Sequence, residues 1–224
     1  MGLLLVVGAL AAEDDPAERR ALQRDFRRID RIVRRTVPTG HTEPTAATAE
    51  IPWDADMIGY AGLHTLRRVA AWVDAGRGLP APCPGLAAAV AAANDPVGDA
   101  WYDDVESWLL DATRPRRRFE HLMAHSDAAG YHVPVASPTV FVGTDAEQMK
   151  VGGVIGSSVT LRAELDELAA LMQLDPALTW DDFGEWEDAA ETGRSPWLVE
   201  GFTCRLLQEA CRVSIASGAA IVFC

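Results

Sequence analysis

Lysine is almost missing from this 224-residue chain: of its 20 basic residues only Lys150 is lysine and the rest are arginine. Together with the alanine-rich stretches, we read this first as the compositional habit of a GC-rich genome and only second as chemistry. Cysteine is scarce as well. Cys83, Cys204, Cys211 and Cys224 include no C-x-x-C pair and no histidine at metal-ligand spacing, so neither a zinc site nor another metal is expected. A chain of this length and apolar content does not need disulfides. Cys204 and Cys211, seven apart on one helix face, are expected as core thiols, and Cys83, between prolines, as the exposed one.

Long hydrophobic runs are absent too. No window approaches the roughly 18 to 20 apolar residues a membrane-spanning helix needs, so no membrane association is expected. The run Met1 to Ala12 lacks a basic leading segment and reads as a buried strand rather than a signal peptide, and Val6 stands where a myristoylation signal wants Ser or Thr. There is no G-x-S-x-G, no P-loop lysine and no G-x-G-x-x-G, so no cofactor is expected.

Negative charge is what the chain has in excess. Asp+Glu 33 against Lys+Arg 20 gives a formal net charge of -13. The charge is segregated: residues 16–36 hold Arg19, Arg20, Arg24, Arg27, Arg28, Arg31, Arg34 and Arg35 against Glu18, Asp25 and Asp30, a local +5 that leaves -18 elsewhere. Nucleic acid is therefore disfavoured as a partner except through this Arg-rich helix, 16–36.

The hydrophobic pattern predicts an apolar strand at Gly2 to Val7, then a helix capped by Asp14 or Asp15 with Leu22, Phe26, Ile29 and Val33 inward. Residues 37–54 read as a surface loop. Further helices are expected at 55–74, 85–93 and 99–112, another with the stripe Leu161, Leu165, Leu168 and Met172, a short acidic one within 180–191, and one at 197–216. A strand is expected at 138–143, and Ala219 to Cys224 closes the chain as another. Strands at both termini and too many helices for a doubly wound sheet predict an α+β fold: a small mixed β-sheet including both termini, covered by several amphipathic helices. With no repeat or low-complexity linker, residues 1–224 are expected to form a single domain.

The segment 119–137 carries the candidate chemistry. Asp127 and Gly130 suit the first and last positions of a type I turn, predicting a hairpin. His121 and His125 would share a metal only on a helix. His125 beside Asp127 is the pairing that general-base catalysis uses. Gly152, Gly153 and Gly156 lead to Ser157 and Ser158, a helix start able to receive an anion.

At these residues the chain resembles a known group. LHTLRR (63–68), HSDAAGYHVP (125–134), IGSSVTLRAELDELA (155–169) and GAAIVFC (218–224) are similar to a bacterial family of unknown function, in which an H-S-D-x-x-G-Y-x-x-P hairpin precedes a G-S-S-capped helix. The resemblance implies a small cytoplasmic protein and supplies no activity. His132 stands where that pattern carries tyrosine.

Two function classes follow, and whether the chain is an enzyme stays open between them. The first is a non-catalytic binding protein, an immunity or antitoxin-like inhibitor. Its acidic surface (Asp103, Asp104, Asp181, Asp182, Glu185, Glu187, Asp188) would dock on a basic protein partner such as a nuclease. The second is a small hydrolytic or anion-binding enzyme, with its pocket where His125, Asp127 and Tyr131 of the hairpin meet the helix start at Ser157 and Ser158.

Overall fold

A computed structural model describes residues 3–92, 94–103, 105–111, 113–126 and 130–224. From the start of the chain run β1 (Leu3–Val7), α1 (Ala9–Ala12), α2 (Pro16–Val33), β2 (Trp53–Met57) and α3 (Gly59–Asp74). Short helices follow: α4 (Leu86–Ala92), α5 (Pro96–Tyr102), α6 (Val105–Leu110) and α7 (Glu120–Met123). Then come β3 (Tyr131–Val133), β4 (Phe141–Val142), α8 (Ala146–Met149) and β5 (Val154–Ser157). The chain continues through α9 (Ser158–Leu171), α10 (Phe183–Glu191) and α11 (Leu198–Ser217) to β6 (Ile221–Phe223).

The two terminal strands pair directly. β1 runs antiparallel to β6 with Leu5 opposite Phe223 and Val7 opposite Ile221. β6 is antiparallel to β3, β3 is parallel to β5, and β4 closes that edge antiparallel to β5. The six strands lie in the order β2-β1-β6-β3-β5-β4, the small mixed sheet that the α+β reading requires. Burial alternates along β1, with Leu3, Leu5 and Val7 fully covered and Leu4 and Val6 half-covered, so only one face of this strand is sealed.

Against the sheet lies α2. Asp15 caps it by accepting the N–H groups of Ala17 and Glu18, and Pro16 takes the first helical position. Its Phe26, Ile29, Ile32 and Val33 join Tyr131, Val133, Phe141, Ile155 and Val222 in one cluster. Each such side chain contributes roughly 1.5–3 kcal/mol by leaving water. Gly8, at φ 82°, turns the chain out of β1, and a Cβ there would meet Ile51.

Several expectations need correction. Residues 119–137 do not form a hairpin: Glu120–Met123 is a helical turn, and β3 takes its ladder partners from β5 and β6. The turn residues 127–129 lie outside the described residues. The strand β2 falls where a loop and a helix start were expected, because Trp-Asp-Ala-Asp-Met alternates at the sheet's edge with its polar residues outward. The helix expected at 99–112 is two, α5 and α6, since the Asp95 cap and Pro96 move the start upstream.

Contacts group the chain into two interleaved units, one mainly from Asp56–Phe119 and Ala163–Glu209, the other from Leu4–Ala55, Glu120–Arg162 and Ala210–Cys224. By sequence the first holds 20 Asp and Glu against 9 Arg, a net -11; the second holds 13 against 11 basic residues, a net -2. Nearly all the excess negative charge thus belongs to the first unit. No described helix is long and apolar enough to cross a membrane.

Candidate docking face

Helix α10 starts at Asp182, whose Oδ1 accepts the N–H of Glu185 at 3.2 Å. Trp186 and Ala189, three apart, are fully buried, and Trp186 is fixed further by donating Nε1–H to the Thr179 carbonyl at 2.7 Å. Gly201 lies under its ring, where a Cβ would collide. Anchoring that side turns Glu185, Glu187, Asp188 and Glu191 to solvent, with Asp181 and Asp182 exposed just ahead. None of these six carboxylates has an ion-pair partner among the described residues. Arg194, which follows the helix, pairs instead with Asp175 at 3.7 Å.

Within α10, Glu185, Glu187, Asp188 and Glu191 fall over six residue steps, about 9 Å of axis, an average of roughly one charge per 3 Å. Glu191 was not among the expected binding residues; its spacing of four from Glu187 was the available signal. Glu187 and Glu191 also border a cleft of about 360 Å³ whose other walls include Pro84, Leu86, Phe183 and Leu198. Two carboxylates over an apolar floor suit a side chain with an aliphatic stem and a cationic head. Asp103 is also exposed but lines a separate cleft with Arg77, Trp101 and Arg117, and Asp104 lies outside the described residues.

The cluster weighed for catalysis sits in the other unit. His125, Tyr131, Ser157 and Ser158 are all buried, and Asp127 lies outside the described residues. His125 packs its ring on those of His132 (4.2 Å) and Phe223 (4.5 Å). Burial, reinforced by the charges of Asp25, Cys224 and Glu43, pushes the Tyr131 hydroxyl up to about 12. Ser157 Oγ accepts the N–H of Thr160, and Ser158 Oγ bonds Ser214 Oγ at 2.9 Å. The side chains brought together here with Ser157 include His121 and His132. His121 Nδ1 accepts the Ser157 N–H at 2.9 Å, and His132 Nε2 lies 3.0 Å from the His121 carbonyl.

Cys83 is buried, contrary to expectation, because Glu200, distant in sequence, accepts its backbone N–H at 3.0 Å. Cys224 is the exposed thiol, and Cys204 and Cys211 are core residues as read. Of the eight arginines in residues 16–36, half are engaged: Arg28 with Asp25, Arg34 with Asp30, Arg35 with Asp145, and Arg19 with the carbonyls of Glu13 and Thr45.

No curated protein and no solved structure matches the chain. One family model does, over residues 1–223, and its description reads "Putative DNA-mimic protein". With essentially the whole sequence inside that match, the chain belongs to this family.

Proposed function

We propose that the protein is a non-catalytic inhibitor whose α10 face stands in for a nucleic-acid strand and occupies the nucleic-acid site of a basic protein. One observation carries the reading: the exposed carboxylates of α10, without an ion-pair partner among the described residues, average about one per 3 Å of axis, close to the interval of roughly 3.4 Å between phosphates along one strand of duplex DNA. The family's printed description points the same way. The neighbouring cleft supplies what phosphate alone does not, a slot with an apolar floor and the Glu187 and Glu191 carboxylates at its rim for an arginine or lysine head. Steering by a -11 unit raises the encounter rate with a cationic surface. Such a partner works where nucleic acid is handled, so the cytoplasm is the compartment, and an immunity or antitoxin-like role is the form of inhibition that fits.

The test is capture with competition. The immobilised chain should retain a basic protein that added duplex DNA releases. The variant Asp181→Asn, Asp182→Asn, Glu187→Gln, Glu191→Gln, verified as folded by circular dichroism, should retain none. Capture that survives either the DNA or the four substitutions rules the reading out.

A further inference from the structure

The arginines of α2 not engaged elsewhere form a line. Arg20, Arg24, Arg27 and Arg31 recur at four, three and four residues, which places them within about 60° of one another on a helix. That side is opposite the buried Phe26, Ile29 and Val33. All four are exposed and have no ion-pair partner among the described residues. The line runs about 16 Å along the axis.

We propose that this stripe docks on the acidic face of α10 in a second copy of the chain. On α10, Glu185 and Asp188 stand three residues apart, the spacing of Arg24 and Arg27 on α2, and Asp181 lies exposed just ahead of the helix. The two exposed patches are of opposite sign. Because the two patches differ, the contact is heterologous: each copy offers one cationic and one anionic surface. Exposed ion pairs are individually weak, so the association is weak and disappears with salt. Its consequence is that one copy shields the α10 face of another from any outside partner. The inference uses only the spacing and exposure of the charges and does not rest on the DNA-mimic reading. An Arg24→Glu/Arg27→Glu variant leaves α10 intact, so partner capture by α10 should persist in it.

Sedimentation velocity over a concentration series tests the contact. At low ionic strength the sedimentation coefficient of the wild type should rise with concentration. At about 1 M salt, where the screening length is about 3 Å, it should not. Arg24→Glu/Arg27→Glu and Glu185→Arg/Asp188→Arg should each weaken self-association about tenfold or more, with unchanged circular dichroism, and an equimolar mixture of the two should associate again. A wild type that stays monomeric at low salt overturns the proposal, as does an Arg24→Glu/Arg27→Glu variant that associates normally. A monomeric wild type that binds a labelled single-stranded oligonucleotide through Arg24 and Arg27 overturns it too and names nucleic acid as the occupant.

Discussion

The backbone N–H of Ser157 donates to Nδ1 of His121 at 2.9 Å, tying the end of β5 to α7 across 36 residues of sequence. A ring nitrogen that accepts an N–H carries no proton, so His121 is held as the neutral tautomer with hydrogen on Nε2. The His121 carbonyl in turn lies 3.0 Å from Nε2 of His132, on the strand parallel to β5. Ser157, one of the residues considered for catalysis, is thus bound with His121 and His132 into a seam that fixes one helical turn to the two strands beside it.

Replacing His121 by leucine keeps an apolar side chain of similar reach and leaves the Ser157 N–H buried with no acceptor. The expected loss is about 1–3 kcal/mol of stability, read from urea unfolding. In the wild type, long-range proton–nitrogen correlations should show the Nε2-protonated tautomer. A His121→Leu variant as stable as the wild type would remove the seam from the account.

Gly156 is required for space. A Cβ there would run into the His132 ring, which is held by its bond to the His121 carbonyl and by stacking on His125. Gly156→Ala should cost about 1–3 kcal/mol. Gly98, inside α5 with open space around its would-be Cβ, is the control, and Gly98→Ala should stabilise by about 0.5–1 kcal/mol. Thermal melts of the two variants should move in opposite directions.

Burial pushes the Cys83 thiol up to about 12, the Glu200 charge and hydrogen bond add to this, and Arg68 opposes it. Cys83 is therefore essentially all thiol at neutral pH, and Cys204 and Cys211 are enclosed. A disulfide-exchange reagent at pH 8 should find one accessible thiol in the native protein, Cys224, and four after denaturation. Cys224→Ser should abolish the native reaction. Rapid native labelling of Cys83 would contradict its placement.

What could be read from sequence was whatever repeats locally. The stripes Phe26, Ile29, Val33 and Leu161, Leu165, Leu168 are buried because helical spacing alone puts them on one side, and the apolar Ile221–Phe223 could only be a covered strand. The acidic run around α10 was visible for the same reason. Its cleft was not, because Leu86, Phe183 and Leu198 come from three stretches of chain. Cys83 was misplaced because the carboxylate that receives its N–H is 117 residues away, and the hairpin failed because β3 found better partners in β5 and β6 than in its own flank. Long-range pairing leaves no periodic trace.

Asp95 makes the stability of the fold depend on pH. Its carboxylate accepts Arg68 Nε at 2.9 Å, Trp72 Nε1 at 3.0 Å and the Val97 N–H at 2.8 Å. Burial by itself would raise its pKa, but the three donors outweigh burial and hold it below the usual aspartate range. The folded state thus prefers the charged form. The stabilisation is fully present above the unfolded value of about 3.9 and is lost as pH falls through the lower folded value. Asp95→Asn keeps a helix cap and loses the charge, so it should cost about 1–2 kcal/mol at pH 7. The gap from the wild type should then narrow steadily below pH 4. Urea midpoints for both proteins between pH 7 and pH 3 measure this directly, and a gap that stays constant across that range would mean the Asp95 charge does not stabilise the fold.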